Sequence, residues 1–90
     1  MQVTGAVIRE QGVVFGVALM TNSAFADSAA RKQFQSQVAV LPMFRGVPVV
    51  VATQDSRGVP TYWGRPDLVR FLARLHITQI PWRDYAVRAA

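Results

Sequence analysis

The sequence predicts an α+β fold made of two β-hairpin–helix units, in the order ββαββα. Runs of β-branched and apolar residues at 13–20 and 47–54 are typical of strands covered on both faces. Apolar residues recur at helical spacing in 24–38 and again between Pro66 and Leu75. A glycine stands at each expected hairpin turn. We therefore expect a four-stranded, mostly antiparallel sheet with two helices and a docked C-terminal tail.

The first hairpin is predicted from two apolar segments joined by a glycine turn. Residues 3–9 form its first strand, and Gly12 supplies the positive φ of a short loop. Residues 13–20 form its second strand, and both faces of that strand are apolar. We expect this strand in the interior of the sheet. Gly16 and Ala18 leave room for a helix or another backbone to approach closely.

The first helix is predicted over residues 24–38, where an apolar stripe alternates with polar and basic side chains. Either Thr21 or Ser23 can cap its N-terminus. Asp27 and Arg31 stand four residues apart, in the order that favours an ion pair on a helix. The helix and its two flanking strands fit a single right-handed crossover.

The second unit repeats the pattern of hairpin followed by helix. Residues 47–54 are apolar on both faces and predict another central strand. Residues 59–63 form the returning strand, which we expect at an edge because Pro60 lacks an N–H group. Pro66 suits the first position of a second helix, which should end near Leu75.

The tail from residue 76 to 90 is too apolar for a solvated segment, so we expect it to dock on the body or on a partner. Its apolar side chains are Ile77, Ile80, Trp82 and Tyr85. The chain has 90 residues, which predicts one domain covering 1–90.

One segment resembles a known family. Gly46-Val47-Pro48 enters a strand that is followed by a hairpin and a helix, up to residue 75. This order resembles the C-terminal half of thioredoxin-like domains, in which a cis proline opens the third strand. The paired cysteines of that family's active site are absent. The resemblance therefore implies nothing about function here.

Composition argues against catalysis. The chain has no cysteine and one histidine, His76, so it lacks a thiolate nucleophile and can offer one imidazole to a metal. Each of its five acidic residues has a local structural explanation at a turn, a helix start or beside an arginine. No glycine-rich phosphate loop is present. We expect no enzyme activity, no catalytic residues, no cofactor and no metal site.

Positive charge is concentrated in the second half of the chain. The formal net charge is +5, and residues 45–90 contribute a net charge of +4 to it. Arginine grips phosphate well and aromatic rings stack on bases, so this half is a candidate for binding RNA or single-stranded DNA. The candidate nucleic-acid or anion contacts are Arg57, Arg65, Arg70 and Arg74.

Protein interaction or self-association is the function we favour, with nucleic-acid binding as the alternative. Apolar residues make up 51% of this small chain, which exceeds what one small core readily buries. The edge strand at 59–63 could also pair with its own copy. The candidate interface residues are Met43, Phe44, Trp63, Trp82 and Tyr85. No small-molecule substrate is predicted.

The N-terminal segment imitates a secretory signal. Ala24-Phe25-Ala26 before Asp27 has the small-x-small pattern of a cleavage site. Arg9 and Glu10 leave the leader with little net positive charge, which argues against export. The apolar run is also far shorter than the roughly 20 residues of a membrane span. We expect a cytoplasmic protein, with export and cleavage after Ala26 as the minor alternative.

Overall fold

The protein is an α+β fold with a single mixed sheet, and a computed structural model describes residues 2–10 and 12–86. The strands are β1 (Gln2–Glu10), β2 (Val13–Leu19), β3 (Val49–Gln54), β4 (Pro60–Trp63) and β5 (Arg83–Ala86). The α-helices are α1 (Asn22–Phe25), α2 (Ser28–Ala39) and α3 (Pro66–Ala73). Short 3₁₀ helices span Pro42–Phe44 and Ile77–Gln79. The predicted class is confirmed, whereas the predicted count of four strands and two helices is wrong.

The strands lie in the order β4-β3-β2-β1-β5. β2 and β3 are parallel and are joined by α1 and α2, whereas the other three pairs are antiparallel. The predicted central positions of β2 and β3 and the edge position of β4 are confirmed. Two parallel neighbours cannot be joined by a tight turn, so β2 and β3 need a crossover connection, which contains α1 and α2. This one parallel pair makes the sheet mixed.

The predicted helix at 24–38 is divided in two, because the chain contains two N-caps. The Thr21 hydroxyl accepts from the Ala24 N–H at 3.3 Å and starts α1. The Asp27 carboxylate accepts from the Ala29 N–H at 2.9 Å and starts α2. Asp27 therefore serves as a helix cap. The predicted ion pair between Asp27 and Arg31 is wrong, since Arg31 makes none within the described part of the chain.

Part of the predicted tail becomes the fifth strand. β5 pairs with β1 in antiparallel register, from Gln2 opposite Ala86 to Gly5 opposite Arg83. Before this strand, Ile80 is buried beneath the sheet, and so the tail docks on its own chain. Residues 87–90 of the predicted tail lie outside the described residues.

Two apolar clusters cover the two faces of the sheet. On one face α3 and Ile80 pack against side chains of the central strands, which include Phe15, Val17 and Val50. On the other face α2 contributes Val38, and the following 3₁₀ helix contributes Phe44. Because strand side chains alternate between faces, the doubly apolar strands feed both clusters.

Phe44 packs directly against two glycines of the sheet. Its side chain is fully buried, and its ring lies over Gly5 of β1 and Gly16 of β2. A Cβ atom at Gly16 would overlap the Phe44 ring, and one at Gly5 would lie 2.7 Å from the carbonyl oxygen of Val17. The absence of side chains at these two positions therefore allows the ring to reach the sheet.

The segment that resembles thioredoxin-like domains departs from that pattern at its proline. No cis peptide bond occurs among residues 2–10 and 12–86, so the bond before Pro48 is trans. The Pro48 carbonyl accepts from the Gly16 N–H at 2.8 Å and thereby starts the parallel pairing of β2 with β3.

Candidate interaction surface

The four candidate anion contacts differ in their surroundings. Arg65 donates two hydrogen bonds to the Asp67 carboxylate, at 2.9 and 2.7 Å. The hydrogen bond from Arg65 is the largest effect that lowers the pKa of Asp67, to about 2. Arg57, Arg70 and Arg74 are exposed and form no ion pair within the described ranges. Their binding to nucleic acid stays a prediction.

The candidate interface residues are less exposed than the sequence suggests. Phe44 is part of the core and is unavailable to a partner. Met43, Trp63, Trp82 and Tyr85 are half-buried. The Trp82 indole N–H donates to the Ile77 carbonyl at 3.1 Å, and the Tyr85 ring packs edge-on against Phe44 at 6.2 Å between centroids. These rings mainly fasten the chain to itself.

Arg31 has a structural role that the sequence did not indicate. Its guanidinium lies 5.3 Å from the ring centroids of both Phe25 and Trp63, which is within cation–π range. It also donates to the Phe25 carbonyl at 2.7 Å. Arg31 therefore links α1 and α2 to strand β4, and it lies over the ring of Trp63, one of the candidate interface residues.

The direction of the backbone groups along β1 follows from one hydrogen bond in β2. Because the Gly16 N–H donates to the Pro48 carbonyl, the backbone groups of Gly16 face β3. Val7 stands opposite Gly16, and Arg9 stands opposite Val14. In an antiparallel pair, opposed residues exchange both of their hydrogen bonds or neither. Val7 and Arg9 therefore direct their N–H and C=O groups away from β2, toward the side where β5 lies.

β5 is too short to cover these groups. Its last pairing places Arg83 opposite Gly5, and the preceding chain turns away through Pro81. No backbone hydrogen bond reaches Val7 or Arg9 from that side within the described residues. We call this part of the sheet, at Val7 and Arg9, the open β1 edge.

A groove of about 350 Å³ runs beside the open β1 edge. The strand forms one wall, with Ile8 and Arg9 among its residues. The opposite wall is formed by Leu75, Gln79 and Pro81. The groove therefore separates unpaired backbone groups from a mixed apolar and polar wall, an arrangement that suits an extended peptide.

The other side of the same hairpin is also uncovered. Val13 and Val14 of β2 are 41% and 39% exposed, because β3 begins opposite Gly16 and does not reach them. The tip of the β1–β2 hairpin therefore extends beyond the rest of the sheet. It presents apolar side chains and free backbone groups together, which is the composition of an interaction surface.

The predicted edge at β4 offers fewer backbone groups. The Met20 N–H donates to the Ala52 carbonyl, so Ala52 faces β2 and its partner across the ladder, Tyr62, faces outward. Pro60 also faces outward and has no N–H. Tyr62 is thus the only outward N–H donor of Pro60–Trp63. Self-pairing through this strand would therefore gain few backbone hydrogen bonds.

His76, the single histidine of the chain, is held in local structure. His76 is the N-cap of the 3₁₀ helix Ile77–Gln79, and its Nδ1 atom accepts from the Thr78 N–H at 3.3 Å. Across residues 2–10 and 12–86, no group of three or more histidine, aspartate and glutamate side chains could hold a metal ion. None of the helices in the same ranges is long and apolar enough to cross a membrane.

Comparisons with protein-family models, with curated proteins and with solved structures found no match to the chain.

Tyr62 offers a test of how the half-buried side chains are placed. Its hydroxyl is buried and has no hydrogen-bond partner among the described residues. Tyr62→Phe removes this unpaired group, so the free energy of unfolding should stay unchanged or rise by up to about 1 kcal/mol. Chemical denaturation at neutral pH measures the change, and a clear loss of stability would show that the hydroxyl has a partner.

Burial also raises the pKa of Tyr62 above its ordinary value of 10.0. The unfolded chain then releases the phenolic proton at a lower pH than the folded chain does. Stability should therefore fall as the pH rises beyond about 10, and Tyr62→Phe should reduce that fall. Denaturation curves of the wild type and of Tyr62→Phe at neutral and alkaline pH measure the difference in stability between the two proteins. A difference that is the same at both pH values would contradict the burial of Tyr62.

Proposed function

We propose that the protein is an interaction module that binds an extended segment of another protein as an added strand on the open β1 edge. The observation that supports this most strongly is the direction of the Val7 and Arg9 backbone groups, which face a groove instead of a neighbouring strand. Strand addition uses such groups for affinity and nearby pockets for specificity. This is the favoured sequence prediction of protein binding, assigned to a different edge of the sheet.

The chemistry of the partner follows from the two faces of β1. Ile8 points to the groove side with Leu75 and Pro81, so the added strand should place an apolar side chain there. Arg9 is exposed on the opposite face, beside the exposed Val14. An acidic residue of the added strand opposite Arg9 would form a favourable cross-strand pair. The partner is therefore an extended segment with alternating apolar and acidic side chains.

The experiment uses a displayed library of random short peptides, selected against the full chain. Peptides that bind should be enriched in alternating apolar and acidic residues. Arg9→Pro removes the outward N–H and should weaken the binding of a selected peptide at least about tenfold, through one lost backbone hydrogen bond and one lost charge contact. Arg9→Ala removes the charge alone and separates the two contributions.

Val14→Pro is the matched control, because Val14 stands opposite Arg9 and directs its own backbone groups to the other side of the hairpin. This variant should bind the selected peptide like the wild type. Equal losses in both proline variants would place binding elsewhere. Light scattering completes the test, since a dimer that Arg9→Pro dissociates would make a second copy of this chain the occupant and overturn the proposed partner.

A further inference from the structure

A second groove, of about 500 Å³, lies on the other side of Leu75. We call it the β4 groove. Its walls are the turn and first residues of β4, the end of α3 and the start of the 3₁₀ helix at Ile77. Most of its lining is apolar, and Val59 is exposed there to 55%. Such an exposed valine in a concave site gives an apolar ligand a surface to cover.

Arg57 is the cationic group of the β4 groove. The only acid near it in sequence, Asp55, uses Oδ1 to accept from the backbone N–H groups of Arg57 and Val59, each at 2.9 Å. These bonds hold the turn in place and leave the guanidinium without an ion pair among the described residues. The lining contains no acidic side chain. The lining of the groove therefore carries one cationic guanidinium and no carboxylate, while Asp55 lies in the adjacent turn.

His76 supplies a second polar group with a defined orientation. Its backbone N–H donates to the Gln79 side chain at 2.7 Å, and its Nδ1 accepts from the Thr78 N–H. The Thr78 hydroxyl lies 2.7 Å from the same nitrogen. Because Nδ1 acts as an acceptor, the neutral ring has its hydrogen on Nε2. That N–H donor belongs to a side chain that lines the groove.

We infer that the β4 groove binds a small carboxylic acid with a compact apolar body. The carboxylate interacts with the Arg57 guanidinium and accepts from His76 Nε2, while the apolar part covers Val59 and Ile77. Guanidinium groups hold carboxylates through two parallel hydrogen bonds, which favours this anion over a neutral ligand. The proposed ligand contacts, Arg57 and His76, do not line the groove beside the open β1 edge, so the two sites can be tested with separate variants.

The test titrates the full chain, labelled with ¹⁵N, with phenylacetate and with hexanoate while amide shifts are recorded. Backbone amides of residues 57–59, 61–62 and 75–78 should shift in a saturable manner. The neutral analogues phenylacetamide and hexanamide should bind at least about tenfold more weakly, because they lose the charge-assisted hydrogen bonds. Absence of saturable shifts with both acids, or equal binding of acid and amide, would overturn the inference.

A pair of variants with equal charge identifies the residue. Arg57→Gln should weaken the binding of phenylacetate about tenfold, because it removes the guanidinium from the groove. Arg74→Gln is the matched control, since Arg74 is exposed at the end of α3 and does not line the groove. The control should change the affinity less than about twofold, because a solvent-exposed charge outside the lining is screened by water and salt. Equal effects of the two variants would mean general attraction to a basic surface, and would contradict the site.

Discussion

Replacing Phe44 with alanine is expected to lower the free energy of unfolding by about 3 to 5 kcal/mol. The ring is fully buried between Val38 of α2 and the two glycines of the sheet. Removal of its atoms leaves a cavity that the rigid sheet cannot close. Urea denaturation followed by circular dichroism measures the loss, and Phe44→Leu provides a milder variant if the alanine variant does not fold.

A double-mutant cycle tests whether the Phe44 ring is the reason that position 16 requires a glycine. Gly16→Ala alone should destabilise the chain, because its Cβ atom would overlap the Phe44 ring. In the Phe44→Ala background that overlap is gone, so the same substitution should cost much less. Additive losses in the cycle would contradict the placement of Phe44 over Gly16.

Proline substitutions at Ile8 and Arg9 are expected to have very different effects on stability. Ile8 stands opposite Phe15 and exchanges hydrogen bonds with β2, and its side chain is buried in the apolar cluster on the face that α3 covers. Ile8→Pro should therefore destabilise the fold by about 4 kcal/mol or more, from a lost side chain and a broken ladder. Arg9→Pro should cost about 1 kcal/mol or less, because its N–H has no partner in the sheet.

Ile8→Ala is the control that separates packing from hydrogen bonding, since it keeps the backbone N–H. It should be clearly more stable than Ile8→Pro. Thermal unfolding ranks the stability of the three variants. A loss of stability in Arg9→Pro as large as that in Ile8→Pro would contradict either the register of β1 or the absence of a partner for the Arg9 N–H group.

The strands of the sheet were largely predictable because their signal is local. The apolar run at 47–54 identified β3, and Pro60 placed β4 at an edge. β5 was not predictable, because four residues containing Arg83 and Asp84 show no strong strand pattern. That strand forms through pairing with β1, about eighty positions earlier in the chain, as illustrated by the hydrogen bond from Thr4 to Asp84.

The division of the first helix depended on which polar side chain acts as a cap. The sequence pattern favoured Asp27 as the ion-pair partner of Arg31 and offered Thr21 and Ser23 as the caps. The structure uses the carboxylate as a cap and places Arg31 between two aromatic rings. A cation–π contact across such a chain separation leaves no periodic signal, so only the folded arrangement of Phe25 and Trp63 reveals it.

The open β1 edge could not be predicted, because it results from a difference in length between neighbouring strands. β1 extends to Glu10, whereas β5 begins at Arg83 opposite Gly5. The sequence of β1 itself gives no sign of which N–H groups lack a partner. Residues 13–20 are apolar on both faces and so predicted a strand covered on both sides, whereas the structure leaves Val13 and Val14 exposed.

Amide hydrogen exchange of β1, measured residue by residue with and without a selected peptide, tests the central claim most directly. In the free chain Ala6 and Ile8 should exchange slowly, because they bond to β2, whereas Val7 and Arg9 should exchange fast. When the peptide binds, Val7 and Arg9 should slow by at least about tenfold. Exchange at Val7 and Arg9 that is already as slow as at Ile8, or that the bound peptide leaves unchanged, would contradict an open edge that accepts an added strand.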